Sequence, residues 1–282
     1  MLTTIIIISK QSEMTFFKLK ENLRKDSVVL QSITYCEYEN QFKVYEQKQD
    51  KDTIMFLCDH AEIALKLQKN GYGVIVWLTA ENRAQNFSKF TYAIEGIENL
   101  DYDYFLKVWQ RFQHLPWQIG ETSRCLIREM EENDIDQLYE LYKAPEITKY
   151  MEDLYKDRDM ELAYIKQYID KIYCYYGFGT WLIIDKCTER VIGRVGFNYR
   201  PGFDEPELGF VIGVPYQKQG YAFEVCSYLL AFAKEAYEWD YVQALTKPHN
   251  EASIALLHKL GFSYQQDVNV DNQTYHRYLC KL

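Results

Sequence analysis

One segment constrains the fold of this chain more than any other: residues 207–222, ELGFVIGVPYQKQGYA. Its first half, 208–214, is an apolar run of strand length. A short polar loop with Lys218 and Gly220 follows, and from Ala222 onwards apolar residues recur at helical spacing. The pattern therefore predicts a strand, a glycine-containing loop and a helix in direct succession.

A loop of this kind at the start of a helix is suited to binding an anion. The first N–H groups of a helix have no partner inside the helix, and the helix dipole adds partial positive charge at the same end. Gly220 and the small Ala222 allow a ligand to approach the backbone closely, and Lys218 adds a full positive charge. The spacing matches neither a P-loop nor a dinucleotide-binding turn, so neither of those nucleotide motifs is present.

Residues 217–222, QKQGYA, resemble the Gln/Arg-x-x-Gly-x-Gly/Ala signature of the GNAT superfamily of acyl-CoA N-acyltransferases. Residues 242–262 resemble a later strand and helix of that family, with Pro-x-Asn at the helix start and Leu-Gly-Phe at its end. These features, with Glu-Leu-Gly-Phe at 207–210, look most like the subgroup that includes the ribosomal-protein N-acetyltransferases. The resemblance covers roughly residues 122–282 and implies acetyl-CoA as cosubstrate, its pyrophosphate held by the loop.

The resemblance also implies which residues contact the coenzyme. In the family the pantetheine arm adds to the strand before the loop, through the main chain of residues that are here Phe210, Val211, Ile212 and Gly213. The implied loop contacts are Gln217, Lys218, Gln219, Gly220, Tyr221 and Ala222. Asn250 is by residue type a good N-cap for the last predicted helix, with Ser253 at its third position, and the family implies coenzyme contacts there too.

Acetyl transfer to an amine calls for a general base, and Glu207 is the first candidate because family members often place a carboxylate there. The alternative is that Glu207 is an edge-strand carboxylate or a salt-bridging one. Glu205 and His258 are further candidates for the base. The tyrosine that often serves as general acid in the family is replaced here by Leu257. By topology alone, an acceptor cleft could be lined by Tyr150, Tyr176, Trp181 and Tyr199, and the alternative for each is ordinary core packing.

The pattern predicts two domains, 1–116 and 117–282. In the first, short apolar runs alternate with helical segments, which predicts a small Rossmann-like or flavodoxin-like α/β domain with a parallel sheet. We predict a strand over 28–38 there, and we interpret Asp59 as the N-cap of a helix, although a separate hydrolase or nucleotide-binding activity stays open. For the second, the resemblance implies the GNAT fold, an α+β structure with a mixed, mainly antiparallel central sheet.

Composition excludes several classes of function. A formal net charge of -9 argues against a general nucleic-acid binder. The apolar run near the start is too short to span a membrane and lacks the basic residues of a signal peptide, so no membrane association is expected. The seven cysteines are scattered without a C-x-x-C pair, which indicates no zinc site and fits reduced thiols in the cytoplasm.

We therefore expect an acetyl-CoA-dependent N-acetyltransferase that acts on a primary amine. The acceptor is either a protein N-terminus or a small molecule such as an aminoglycoside or a polyamine. The alternative from another class is a non-catalytic acyl-CoA-binding sensor, because the usual tyrosine is absent and a second domain is attached. A homodimer is compatible with either function.

Overall fold

The computed structural model describes the backbone of residues 1–282 and every side chain except that of Phe42. The chain divides into two compact units, Met1–Leu115 and Pro116–Leu282. The division lies one residue before the predicted domain boundary. Among the described residues, no helix combines the length and the apolar character that crossing a bilayer requires.

The N-terminal unit is a parallel sheet with helices on both faces. In chain order it contains β1 (Thr4–Ile8), α1 (Phe17–Leu23), β2 (Val29–Ile33), α2 (Tyr35–Gln47), β3 (Ile54–Cys58), α3 (Ala61–Lys69), β4 (Gly73–Trp77), β5 (Ala93–Ile94) and α4 (Tyr102–Phe112). The sheet order is β2-β1-β3-β4-β5, which is the flavodoxin-like order. Alternate residues of β1 enter two separate apolar clusters, one on each face, so the predicted Rossmann-like or flavodoxin-like α/β fold with a parallel sheet is confirmed.

The prediction of one strand over 28–38 is wrong in its second half. β2 ends at Ile33, and α2 begins at Tyr35. Thr34 is the N-cap: its hydroxyl accepts a hydrogen bond from the Glu37 amide at 3.3 Å, and the Glu37 carboxylate accepts one from the Thr34 amide at 2.6 Å. This reciprocal pair is a capping box, and it overrides the strand preference of the β-branched and aromatic residues around it.

We expect Thr34→Ala to lower the free energy of unfolding by about 1 kcal/mol, because the substitution removes the hydroxyl that accepts a hydrogen bond from the Glu37 amide in the first turn of α2. Urea unfolding measures the loss, and hydrogen exchange should locate it in residues 35–47. The matched control is Thr91→Ala, which removes an exposed threonine of the same unit. Equal midpoints for the two variants would contradict the capping role.

Asp59 is not the helix cap that the sequence suggested. The N-cap of α3 is His60, which makes no side-chain cap. Because β1 and β3 are adjacent and parallel, their carboxyl ends bring Ser9 to Asp59, whose carboxylate accepts hydrogen bonds from the Ser9 hydroxyl at 2.6 Å and the Tyr35 hydroxyl at 2.5 Å. Asp59 is buried, and it ties the carboxyl ends of these strands to the start of α2.

The C-terminal unit is built on one long sheet. In chain order it contains β6 (Gln118–Glu121), β7 (Cys125–Arg128), α5 (Ile135–Tyr142), α6 (Pro145–Thr148), α7 (Arg158–Tyr168), α8 (Cys174–Tyr176), β8 (Thr180–Asp185), β9 (Val191–Asn198), β10 (Glu207–Ile212), α9 (Tyr221–Tyr237), β11 (Tyr241–Thr246), α10 (Glu251–Lys259), β12 (Ser263–Val270) and β13 (Gln273–Lys281). The sheet order is β12-β13-β11-β10-β9-β8-β7-β6. All neighbours are antiparallel except β10 and β11, so the predicted mixed, mainly antiparallel sheet is confirmed.

The helix that follows the glycine-containing loop, α9, is fixed by its apolar face, as the spacing of its apolar residues predicts. Val225, Leu229 and Ala233 of α9 are fully buried in the core of the unit, and Phe232 packs against the same core. Burial of a valine or leucine side chain contributes about 1.5–3 kcal/mol, which holds the helix in place against the sheet. The N-terminus of α9 is thereby fixed beside the end of β10.

Candidate active site

The sheet opens between β10 and β11. The two strands share a single residue pair, Glu207 with Gln243, and the Gln243 amide donates to the Pro206 carbonyl at 2.9 Å. Beyond this pair β10 runs on to Ile212 and β11 to Thr246 without further pairing between them. A wedge-shaped gap with a free strand edge on β10 is the result.

The register of β9 and β10 decides which backbone groups face this gap. The Gly213 amide donates to the Ile192 carbonyl at 2.8 Å, and in an antiparallel pair such bonded positions alternate. Val211 and Gly213 therefore direct their backbone groups towards β9, and Phe210 and Ile212 direct theirs into the gap. The resemblance implies four strand residues as coenzyme contacts. Of these, Phe210 and Ile212 present backbone groups to the gap, whereas Val211 and Gly213 present theirs to β9.

The loop after β10 ends in a helix start that no side chain caps. The N-cap of α9 is Gly220, whose φ is +86°. Because glycine has no side chain, the N-cap residue offers no side-chain acceptor to the amides of the first turn. The first amides of α9, on Tyr221 and Ala222, have no partner within the helix. Lys218 is exposed and also has a positive φ, 59°. The geometry of an anion-binding loop, with amides, a dipole and a lysine together, is present.

The two glutamines of the loop brace it from within. The Gln217 side-chain amide donates to the Ile212 carbonyl at 2.9 Å, and that of Gln219 donates to the Pro215 carbonyl at 2.7 Å. Their side chains therefore shape the loop and leave the backbone amides to meet a ligand. The Tyr221 hydroxyl is likewise used within the protein, since it donates to the Asp185 carboxylate at 3.0 Å.

Arg124, which sequence reasoning missed, lies against this loop from the start of β7. Its Nη1 donates to the Gln219 carbonyl at 3.0 Å, and its guanidinium lies 4.0 Å from the centre of the Tyr221 ring. The Glu224 carboxylate holds it, accepting from Arg124 Nε at 2.7 Å and from the Arg124 amide at 2.9 Å. A cation is therefore fixed beside the uncapped helix start. Because the contact spans about one hundred residues of chain, no local pattern could have revealed it.

Glu224 is the anchor of this arrangement. Partial burial alone would raise its pKa, but hydrogen bonds from Thr122, Arg124 and Ser123 outweigh that effect and lower the pKa from its usual 4.5 to about 2. Because the pKa is lower in the folded than in the unfolded chain, ionised Glu224 stabilises the fold above about pH 4.5. That stabilisation is lost progressively as the pH falls towards 2.

We expect Glu224→Gln to lower the melting temperature at pH 6, and we expect the difference from the wild type to shrink as the pH falls to 3. The reason is that the wild-type carboxylate loses its advantage over the amide as the unfolded chain takes up a proton. Thermal unfolding over this pH range measures the effect. Glu235→Gln, an exposed position on the same helix, is the control and should show no such pH dependence. A difference that stays constant with pH would contradict the assignment.

The predicted cap of the last helix is confirmed. The Asn250 side chain accepts a hydrogen bond from the Ser253 amide at 3.3 Å, and α10 ends before Gly261, whose φ is +90°. Leu257 is fully buried in the core, so the position often held by a tyrosine carries a packing residue here. Coenzyme contacts by Asn250 and Ser253 stay a prediction.

Glu207 lies in a cavity of about 330 Å³. The cavity lies on one face of β8, β9 and β10, and its lining includes Tyr164, Tyr168, Tyr199, Arg194, Arg200 and Glu207. Glu207 accepts two hydrogen bonds from Arg200, from Nε at 2.5 Å and from Nη2 at 3.1 Å. It is the single carboxylate among the described residues that line the cavity, and it is ion-paired, as the alternative interpretation expected.

The other acceptor-cleft candidates are dispersed. Trp181 is fully buried in the core, and Tyr176 packs in an aromatic cluster with Phe178 and Tyr199. The Tyr150 hydroxyl donates to the His249 carbonyl at 3.0 Å, at the start of α10. Of the four predicted aromatic residues, Tyr199 is therefore the one that lines the cavity.

The other candidate bases are placed elsewhere. The Glu205 carboxylate accepts from Arg277 Nη2 at 2.6 Å, and neither residue lines the cavity. His258, at the end of α10, packs its ring 5.5 Å from that of Tyr278. Glu207 is therefore the candidate base that the fold places with both the cavity and the gap.

The comparisons with known proteins agree with this geometry. A family model described as an acetyltransferase (GNAT) domain matches residues 124–263. The uncharacterized N-acetyltransferase p20 of Bacillus licheniformis is 31% identical over 147 residues, which cover 50% of this chain and 80% of p20. The chain belongs to the GNAT acetyltransferase family. As its donor this family uses acetyl-CoA, and it acts on amine acceptors.

Further GNAT proteins share the C-terminal unit. The uncharacterized N-acetyltransferase YoaA of Bacillus subtilis (strain 168) is 27% identical over 150 residues, 51% of this chain and 82% of YoaA. The structure of ribosomal-protein-S5-alanine acetyltransferase from Vibrio fischeri covers 57% of this chain and 95% of its own, with 15% identity and a TM-score of 0.50. That of RimL, a ribosomal L7/L12 alpha-N-protein acetyltransferase, covers 60% and 97%, with 16% identity and a TM-score of 0.51. At these identities the two structures show a shared GNAT fold.

Proposed function

We propose that this GNAT protein transfers an acetyl group from acetyl-CoA to a primary amine that enters the cavity beside Glu207. The observation that carries the proposal is that β10 borders both places at once. One edge of β10 faces the gap, and one face of the same strand, through Glu207 and Gly209, lines the cavity. A donor held along the gap and an acceptor held in the cavity would meet across a single strand, which is the proximity that group transfer needs.

The residues around the gap fit a pantetheine arm and a diphosphate. The amide and carbonyl of Phe210 and the amide of Ile212 offer hydrogen bonds of the kind an added strand makes, whereas the Ile212 carbonyl already accepts from Gln217. The uncapped start of α9, with Lys218 and Arg124 beside it, would hold the diphosphate.

The chemistry follows from these positions. When bound, acetyl-CoA supplies an electrophilic thioester carbonyl. The amide of Phe210 or Ile212 would stabilise the negative charge that develops on the carbonyl oxygen. Glu207 would take a proton from the acceptor ammonium, directly or through water, so that the neutral amine can form the new C–N bond. The nitrogen then loses its second proton to solvent as the C–S bond breaks, and the sulfur leaves as a thiolate. With Leu257 buried, solvent or another hydroxyl group would protonate the thiolate.

The test is a thiol-release assay of the full chain with acetyl-CoA and a panel of primary amines. The panel includes alkylamines, amino acids, polyamines, aminoglycosides and short peptides with free N-termini. We expect release of free thiol that depends on one class of amine, with acetylated product of the expected mass. A protein that binds acetyl-CoA but turns over none of these amines would contradict the transferase proposal and favour the non-catalytic sensor.

A further inference from the structure

We propose that the acceptor is a small amine that also carries a carboxylate, and that Arg194 binds the carboxylate. This inference rests on the proposed acceptor role of the cavity, and it names the class of molecule that the cavity selects. The feature behind it is a guanidinium that lines the cavity without an acidic partner.

Arg194 differs from the other partly buried arginines of its unit. Each of those is paired with a carboxylate at 2.5–2.7 Å, as Arg124–Glu224, Arg128–Asp134, Arg200–Glu207 and Arg277–Glu205. Among the described side chains, no carboxylate lies within 4.0 Å of Arg194. Its Nη1 donates to the Tyr142 hydroxyl at 3.1 Å, and its Nε is buried without a hydrogen-bond partner. A half-buried charge with this little compensation is costly unless an anion completes it.

The charge of the cavity follows by addition. Glu207 and Arg200 neutralise each other through their two hydrogen bonds. Arg194 remains, so the described charged residues that line the cavity sum to one positive charge, in a protein of net charge -9. An acceptor with two or more positive charges, such as a polyamine or an aminoglycoside, would meet repulsion there. An acceptor with one amine and one carboxylate would find a partner for each group.

The sheet places these partners on the same side. Arg194 pairs with Val211 and Asn198 pairs with Glu207, so Arg194 and Glu207 project from the same face of neighbouring strands. Between them lies Gly209, where an added methyl group would meet no atom within 4 Å. The glycine therefore leaves open space between the guanidinium and the candidate base. A volume of about 330 Å³ is at the small end of ligand pockets, which favours a small molecule over a bulky acceptor.

The test compares amines that differ only in the carboxylate. Each probe is compared with the amine in which a methyl group replaces the carboxylate. The pairs are 3-aminopropanoate with propylamine, 4-aminobutanoate with butylamine, 5-aminopentanoate with pentylamine, and alanine with propan-2-amine. We expect kcat/KM in the thiol-release assay to favour the carboxylate member of at least one pair by about 10- to 100-fold, the value of a charge-assisted hydrogen bond. The carbon-chain length of the probe pair with the largest kcat/KM ratio reports the distance between Glu207 and Arg194.

Variants identify the residue responsible. In Arg194→Met, which keeps the apolar stem, we expect the ratio of kcat/KM for the carboxylate amine to kcat/KM for its neutral partner to fall to about 1. Arg194→Lys should retain part of the preference, because charge remains and the planar fork is lost. Arg190→Met is the matched control, an exposed arginine of the preceding turn, and it should keep the wild-type preference.

A binding measurement separates this inference from the proposed function. Isothermal titration of the same probes into the protein with CoA present needs no turnover. Carboxylate-selective binding that is lost in Arg194→Met supports the inference even if no thiol is released and the transferase proposal fails. If the protein acetylates neutral amines or peptides and shows no preference for the carboxylate amines over their neutral partners, the inference is overturned and the transferase proposal stays intact. No selective binding together with no turnover overturns both.

Discussion

Replacing Gly220 with glutamate is expected to abolish measurable binding of acetyl-CoA. Gly220 has a φ of +86°, and an added Cβ would point towards Arg124, whose Nη2 lies 3.6 Å away. The new carboxylate would fill the space in front of the first amides of α9 and would pair with the cation beside them. A like charge about 4 Å from a phosphate costs about 4 kcal/mol at an effective dielectric constant of 20. We therefore expect the dissociation constant measured by isothermal titration to rise at least about 100-fold.

Two controls distinguish charge from backbone strain. Gly71→Glu introduces the same side chain at a glycine of φ +85° with nothing within 4 Å, and it lies in the N-terminal unit. It should leave the affinity unchanged. Gly220→Ala introduces the strain of a left-handed residue without the charge, and it should weaken binding by about tenfold. If Gly220→Glu binds acetyl-CoA as the wild type does, the loop does not hold the diphosphate.

The parts of the site that the sequence could predict are those with local signals. The apolar run before Pro215, the glycine at 220 and the helical spacing after it are read along one stretch of chain, and they became β10, the loop and α9. The cap at Asn250 and the stop at Gly261 are equally local. Each depends on the conformational preference of one residue type, which tertiary contacts did not override here.

Two elements were missed although the signal was in the sequence. Thr34 and Glu37 have the spacing of a capping box, which outweighs the β-branched residues before it. Asp271 and Asn272, both with positive φ, form the two-residue turn between β12 and β13, a hairpin that the sequence analysis did not predict. In both cases short-range polar chemistry, and not the hydrophobic pattern, decided the structure.

The remaining features depend on register and on contacts across the sheet. Only the pairing of β9 with β10 decides that Phe210 and Ile212 face the gap and that Val211 does not, because a shift of one residue would exchange them. Arg124 reaches the loop from the turn before β7, about one hundred residues earlier in the chain. Arg194 enters the cavity because β9 presents that face. None of these facts is encoded within a window of a few residues.

Glu207 is the residue whose substitution should reduce turnover most. Its carboxylate borders the cavity, and loss of a positioned general base lowers rates by about 10²- to 10⁴-fold. In Glu207→Gln we therefore expect kcat to fall at least about 100-fold, with the affinity for acetyl-CoA changed by less than about twofold. The assay should cover pH 6 to 10. The rate of the variant should rise steadily with pH, because an alkylammonium group of pKa about 10 loses its proton to solvent without help.

The matched control is Glu205→Gln. Both glutamates are ion-paired with an arginine, Glu207 with Arg200 and Glu205 with Arg277, and only Glu207 lines the cavity. If the role of Glu207 were only to hold Arg200, the two variants should lose activity to a similar extent and keep the pH profile of the wild type. A large loss that is specific to Glu207→Gln and is relieved at high pH requires a proton acceptor at that position. The ion pair with Arg200 then orients the base, since it fixes the carboxylate on the face of β10 where the amine enters.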